Sequence, residues 1–406
     1  AGKPAPTSKR VFLGRGEAAG KLAFLFPGQG SQYVGMARDL ACRFPRMLES
    51  LRAADREAER TEPGARLSDR IYPPPSFREE RRRLDEEALR DTRRAQPAIG
   101  AVSLGMLGVL ADFGVRPDMT AGHSFGELTA LHAAGRIDAE SFARLASARG
   151  ALMAEAAAGP DPGAMLAAFA PADRLESILR EHGLDVVVAN KNAPSQTVLS
   201  GPAAEIARAE ERLKAAGVAA KRLPVAAAFH SRFVAEAARP FREALAGVAF
   251  QAGAAQTYAN TTGEPYPIDP DQSRDLLAGQ LERPVDFTAL VRAMHRDGAR
   301  VFVEVGPDSR LVGLVSSILE GEEHAVAALD SSREPNGLVG LATTLAAIAA
   351  AGLPVDLARW DDAYTPPAPA GKKAGLTVSV SGAHPAPKRK AEPPKPARPA
   401  ATPTPS

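Results

Sequence analysis

A serine set between glycines, a histidine about a hundred residues later and an arginine between them are the side chains whose types and spacing could do chemistry. Gly122-His123-Ser124-Phe125-Gly126 has the form G-x-S-x-G, the nucleophile elbow. Such a turn is sharp, so small residues must flank the serine. The Ser124 hydroxyl would then project from the end of a strand at a helix N-terminus. There the backbone N–H of Phe125 can meet a developing oxyanion, and the helix dipole favours negative charge. Alone, the same five residues also describe a glycine-rich turn with an inert serine.

A serine nucleophile needs a base. Of seven histidines, His123 is tied into the turn and His132 lies inside the following helix. His182 and His295 fall at polar helix ends, His324 in a polar loop and His384 in the C-terminal tail. His230, in "PVAAAFHSRF", ends an extended apolar segment and suits a cleft between two domains. Arg149, in "SARGALM", reads by itself as a solvated helix charge. A guanidinium placed near a nucleophile would instead hold a carboxylate bidentately.

The elements that must position these groups alternate strand and helix. "KLAFLFPGQG" reads as a buried strand entering a loop, "RPDMTAGHS" as a short strand feeding the elbow, and "RVFVEVGP" as a further buried strand. "QPAIGAVSLGMLGVLADFG" has helical apolar spacing with Gly114 as its C-cap. This rhythm predicts an α/β fold with a parallel sheet, like that of the α/β-hydrolases. Residues 155–225 change rhythm to strand, helix, two strands, helix, strand, the ferredoxin-like order. They are expected to form a small domain inserted into a large one made of residues 21–154 and 226–345. Residues 1–20 read as a linker and 346–365 as a post-domain segment. Residues 366–406 hold eleven prolines, a Lys/Arg cluster and almost no large apolar side chain. They read as a disordered basic Pro/Ala linker, interrupted by the strand-like "LTVSVSG" (376–382).

Composition narrows the function classes. A net charge of +2 gives no reason to expect nucleic acid, and 45% hydrophobic residues suit a globular body. The single Cys42 excludes an internal disulfide framework and fits a reducing compartment, so a cytoplasmic location is expected. No apolar run reaches the length needed to span a bilayer, and no signal-peptide pattern is present. The start at "AGKPAPTSKR", without a Met, suggests a segment cut from a longer polypeptide, although removal of an initiator Met would look the same.

"FPGQGSQYVGM", "GHSFGE", "ARGALM", "NAPSQTVLSG", "AFHS" and "EVGP" occur in the order found in malonyl-CoA:acyl carrier protein transacylases, a family that the chain resembles over about residues 20–345. That family includes the acyltransferase domains of polyketide and fatty acid synthases. "AGHSFGELTAL" looks most like the domain of polyunsaturated fatty acid synthases, where an Ala/Pro-rich linker leads to tandem carrier domains. The resemblance implies Ser124 as acylated nucleophile and His230 as base. It implies an oxyanion hole from the backbone N–H groups of Gln29 and Phe125, and a histidine oriented by the Gln280 backbone carbonyl. Arg149 would hold the substrate carboxylate, with His123 and Phe229 also at the substrate. Malonyl-selective domains usually carry His-Ala-Phe-His where this chain has Ala227-Ala228-Phe229-His230, so the selectivity code is matched only in part. Asn190 and Asn192 fall near the implied cleft without a role. The implied substrates are malonyl-CoA and the phosphopantetheine thiol of a carrier protein, with carrier domains in the same polypeptide. No metal, tightly bound cofactor, nucleic acid or membrane is implied. Alternatives are an α/β-hydrolase-type esterase or thioesterase, which places an acid between Ser and His in chain order, and a non-catalytic docking module.

Overall fold

The computed structural model describes residues 11–158, 162–224, 227–332 and 336–361. Ten strands occur among them: β1 (Lys21–Phe26), β2 (Met119–Gly122), β3 (Ala164–Ala168), β4 (Val187–Ala193), β5 (Gln196–Gly201), β6 (Ala220–Arg222), β7 (Gln256–Thr257), β8 (Val285–Asp286), β9 (Ala299–Glu304) and β10 (Ala325–Ala328).

The first sheet has the order β10-β9-β1-β2-β7, and every pairing in it is parallel. β1 is central, with Phe24 opposite Thr120 of β2 and Val303 of β9. Its run Leu22–Phe26 is wholly buried, as expected of a strand covered on both faces. Alternation divides it: Phe24 and Phe26 pack with Val102 and Met106 of the helix Thr92–Asp112, while Ala23 and Leu25 pack on the other face with Leu290 and Val291. Loops leaving the carboxyl ends of β1 and β2 therefore meet at one edge, where open parallel sheets place their sites. Glu304, at the end of β9, is also buried. It accepts from the backbone N–H groups of Arg310, Leu311 and Val312 and so anchors the N-terminus of the helix Leu311–Ile318.

The second sheet has the order β6-β3-β5-β4, with three antiparallel pairings. With its helices Ala172–Glu181 and Ala203–Ala215 this is the order of the ferredoxin-like unit. Leu166 and Leu199 pack beneath those helices, against Leu175, Leu179, Ile206 and Leu213. The opposite face carries Met165, Ala167 and Val198, which pack with Phe125, Met153 and Phe229. The small unit thus turns one face of its sheet towards the serine turn.

Three features depart from the sequence reading. β8, supplied by the large domain, joins β4 in parallel at Asn190 and Val285 and gives the second sheet a fifth strand. The helix Gly337–Ala350 runs through residue 345 with Ile348 fully buried, and Trp360 packs on Phe113 at 5.9 Å. The folded body therefore reaches Trp360, and the backbone of Ala19 closes on it through a 2.9 Å bond to Ala351. Finally, Thr92–Asp112 is long and apolar enough to cross a membrane by length and composition. It is instead a core helix, packed between the helices Pro45–Thr61 and Ala139–Ala156. Residues 1–10 and the tail 366–406, including 376–382, lie outside the described residues.

Candidate active site

The chain leaves β2 at Gly122 and enters the helix Gly126–Ala133 after three residues. A Cβ on Gly126 would lie 1.9 Å from the carbonyl oxygen of Phe26, and one on Gly122 1.9 Å from the backbone carbon of Gly126. No side chain fits at either place, so both glycines are required by close approach. Ser124 sits at φ 53°, a left-handed conformation that costs a serine about 1–2 kcal/mol. Asn260 holds the turn in that shape. Its Oδ1 accepts from Ser124 N–H at 2.6 Å and its Nδ2 donates to Gly122 O.

The Ser124 hydroxyl lies 2.7 Å from His230 Nε2, and His230 Nδ1 lies 3.0 Å from the Gln280 backbone carbonyl. A carbonyl only accepts, so Nδ1 carries the proton and Nε2 presents its lone pair to the serine. Burial first, then the charge of Arg149, push His230 down to about 3. The imidazole is therefore neutral at physiological pH and able to take the serine proton. Its partner is a neutral carbonyl where a triad would have a carboxylate.

Arg149 projects from the helix Ala139–Ala156 and is 1% exposed. Its Nη1 donates to Gln96 Oε1 at 2.8 Å and its Nη2 to Gln280 Oε1 at 2.9 Å, and Nη2 stands 3.5 Å from Ser124 Oγ. Burial lowers its pKa to about 10, so it stays cationic. Both holding groups are neutral amide oxygens. The charge is thus left for an anion arriving beside Ser124.

A cleft of about 370 Å³ opens over this group, lined among others by Gln29, Ser124, Met153, Met165, Phe229 and His230. Arg149 is not among the residues that line it; its guanidinium meets the cleft through Ser124, which does line it. His123 Nε2 is 2.8 Å from Asn192 Oδ1, and both line the cleft with Asn190. Burial lowers the pKa of His123. The Gln29 side chain is engaged by Thr92 and Gln96, which fixes the loop that carries its backbone N–H beside the turn. No group of three His, Cys, Asp or Glu that could hold a metal occurs among the described residues.

The residues singled out in the sequence therefore converge on one place, and four contributors were missed. Gln96, Glu127, Asn260 and the amide of Gln280 complete the buried network. Glu127 shows a signal in the acidic residue of "GHSFGE". Gln96 and Asn260 show none, because nothing local distinguishes them from other amides.

A family model described as "Acyl transferase domain" matches residues 23–353, which span the turn, the insert and all of the residues above. The chain belongs to the acyl transferase domain family. A malonyl CoA-acyl carrier protein transacylase from Bacillus subtilis is 33% identical over 305 residues, covering 73% of this chain and 90% of that protein. One component of a polyunsaturated fatty acid synthase from Thraustochytrium sp. is 34% identical over 322 residues, covering 78% of this chain and 11% of that component. The chain thus spans about a tenth of that relative's length. Among solved structures, the acyltransferase domain from the second module of the salinomycin polyketide synthase superposes with a TM-score of 0.73 at 31% identity, covering 86% of this chain and 79% of that one. The α/β body with a parallel sheet and a second sheet is the acyl transferase domain fold.

Proposed function

We propose that this acyl transferase domain moves a malonyl group from malonyl-CoA, through an ester on Ser124, to the phosphopantetheine thiol of an acyl carrier protein. The observation that carries this reading is a buried cationic Arg149, held by two neutral amides, within 3.5 Å of a serine hydroxyl that faces a neutral histidine. Acyl transfer needs the serine and the histidine. A substrate with a free carboxylate accounts for the arginine.

In the first half-reaction His230 Nε2 takes the Ser124 proton while Oγ attacks the thioester carbonyl. The oxyanion is met by the backbone N–H groups of Phe125 and Gln29. The C–S bond breaks, the proton passes from His230 to the departing CoA sulfur, and a malonyl-serine ester remains. In the second half the carrier thiol gives its proton to His230 and its sulfur attacks the ester carbonyl. The C–O bond breaks and Ser124 regains its proton. Neither half requires a metal or a bound cofactor. The relatives' names support fatty acid or polyketide synthesis as the setting; the proposed partner is a carrier domain of the same polypeptide. The single cysteine supports a reducing cytoplasm, where the acceptor thiol stays free.

The decisive experiment is the choice of acceptor. Protein charged with malonyl-CoA and freed of excess donor is mixed with a holo-carrier protein, and both masses are followed. Transfer to the thiol, faster than loss to water, supports the reading. Release as free malonate at the same rate with or without carrier makes the protein a thioesterase.

A further inference from the structure

Glu127 lies on the first turn of the helix after Ser124, is fully buried and is not among the residues that line the cleft. Two side-chain donors converge on its carboxylate: the Tyr266 hydroxyl on Oε1 and Gln280 Nε2, at 2.7 Å, on Oε2. Tyr266 is in turn covered by the guanidinium of Arg136, 5.6 Å from its ring centre. Gln280 is the branch point. Its Nε2 donates to Glu127 and to the Ser124 carbonyl, its Oε1 accepts from Arg149, and its backbone carbonyl accepts from His230.

An amide side chain can be seated either way round, and the two seatings differ by which end is oxygen. Reversed, Gln280 would aim N–H donors at the Arg149 guanidinium, itself only a donor. Its oxygen would face the Glu127 carboxylate and the Ser124 carbonyl, both acceptors. We propose that Glu127 is a positioning residue for substrate choice: it fixes the Gln280 amide so that Oε1 aims Arg149 at the carboxylate of the acyl group. This rests on Arg149 being the carboxylate partner.

A salt bridge from Glu127 straight to Arg149 would neutralise the charge that the substrate needs. Placing Gln280 between them keeps the guanidinium oriented and leaves its charge available. Gln96 holds the other arm in the same manner, with its own Nε2 donating to Gln29 Oε1. Burial raises Glu127 to about 7, opposed by its donors and by Arg149. The carboxyl accepts from Gln280 in either protonation state, because only one of its two oxygens carries the proton.

The test is a competition between malonyl-CoA and acetyl-CoA for acylation, read by intact mass, with acetyl as internal reference and melting temperature recorded. Glu127→Leu removes the acceptor, and the malonyl-to-acetyl ratio is expected to fall by about 10- to 100-fold, the usual effect of misplacing a positioning group. Glu127→Gln keeps an oxygen for Gln280 Nε2 and is expected to restore most of the ratio. Gln280→Met removes the amide but keeps the backbone carbonyl that holds His230; it should lower the ratio as Glu127→Leu does, and decides the matter if Glu127→Leu does not fold. An unchanged ratio in these variants, while Arg149→Ala lowers it, overturns the inference and leaves the malonyl reading intact. An unchanged ratio in Arg149→Ala overturns both. A ratio lowered equally in Glu127→Gln and Glu127→Leu would make charge, not amide orientation, the cause. Equal loss of malonyl and acetyl transfer with a lowered melting temperature would reduce Glu127 to a structural residue.

Discussion

Lowering the pH to 5 should leave the acylation half-reaction almost untouched. A histidine with its ordinary pKa of about 6.5 would be neutral in only about 3% of molecules at pH 5, and a reaction needing its lone pair would slow roughly 30-fold from pH 7.5. His230 is pushed down to about 3, first by burial and then by Arg149, so at pH 5 about 99% of it stays neutral. Stability changes over the same interval must be separated from this. For His230 the unfolded chain binds the proton more readily, so stability falls as pH drops from about 6.5 towards 3. His123 and His132, also lowered by burial, act in the same direction. Glu127, raised to about 7 by burial, acts oppositely: its contribution is full below about 4.5 and is lost as pH rises through 7. Each such group changes stability by at most about 1.4 kcal/mol per pH unit inside its window, so part of the acid loss is offset. The assay is single-turnover malonylation followed by quenched intact mass at pH 5 to 7.5, with thermal melting at each pH. A rate that declines with a midpoint near 6.5 while the protein remains folded would refute the placement of His230 as a buried, pre-neutralised base.

Asn260→Ala should destabilise the protein by about 1–3 kcal/mol, since it leaves Ser124 N–H and Gly122 O without partners; melting and acylation should both suffer, and unchanged values would show that the glycines alone hold the turn. Phe229→Ser should narrow the preference for malonyl over methylmalonyl, because one methyl group in an apolar pocket discriminates by about 1–3 kcal/mol and Phe229 lines the cleft; a competition between the two CoA esters measures it. Trp360→Ala should lower the melting temperature without altering acyl choice, since its ring packs on Phe113 and neither residue lines the cleft; an unchanged melt would return the end of the folded body towards residue 345.

Much of this arrangement is legible because it is written locally. The apolar run "LAFLF", the glycines around Ser124 and the strand–helix–two strands–helix–strand rhythm each occupy a short window, and local patterns of that kind fix element type. The remainder depends on residues far apart in the chain. Gln280 meets Ser124 across 156 positions and Asn260 meets it across 136; no spacing rule reaches so far. β8 is two residues long, too short to carry an alternation, and its pairing with β4 follows from tertiary packing. The end of the folded body is misjudged from sequence because "GLVGLATTLAAIAA" is rich in small residues on every side and hides which face is buried. Arg149 is the instructive intermediate case. Its position in a helix suggests solvent, and only the tertiary fold places it beside the serine.

Whether Ser124 carries the acyl group is tested most directly by one measurement. The protein and its Ser124→Ala variant are mixed with malonyl-CoA alone, quenched, digested and mapped by peptide mass spectrometry. A malonyl ester is expected on the peptide containing Ser124 in the parent protein, and no adduct in a variant with an unchanged melting temperature. An adduct that persists in Ser124→Ala, or that maps to another residue of the parent protein, would contradict the assignment of Ser124 as the nucleophile.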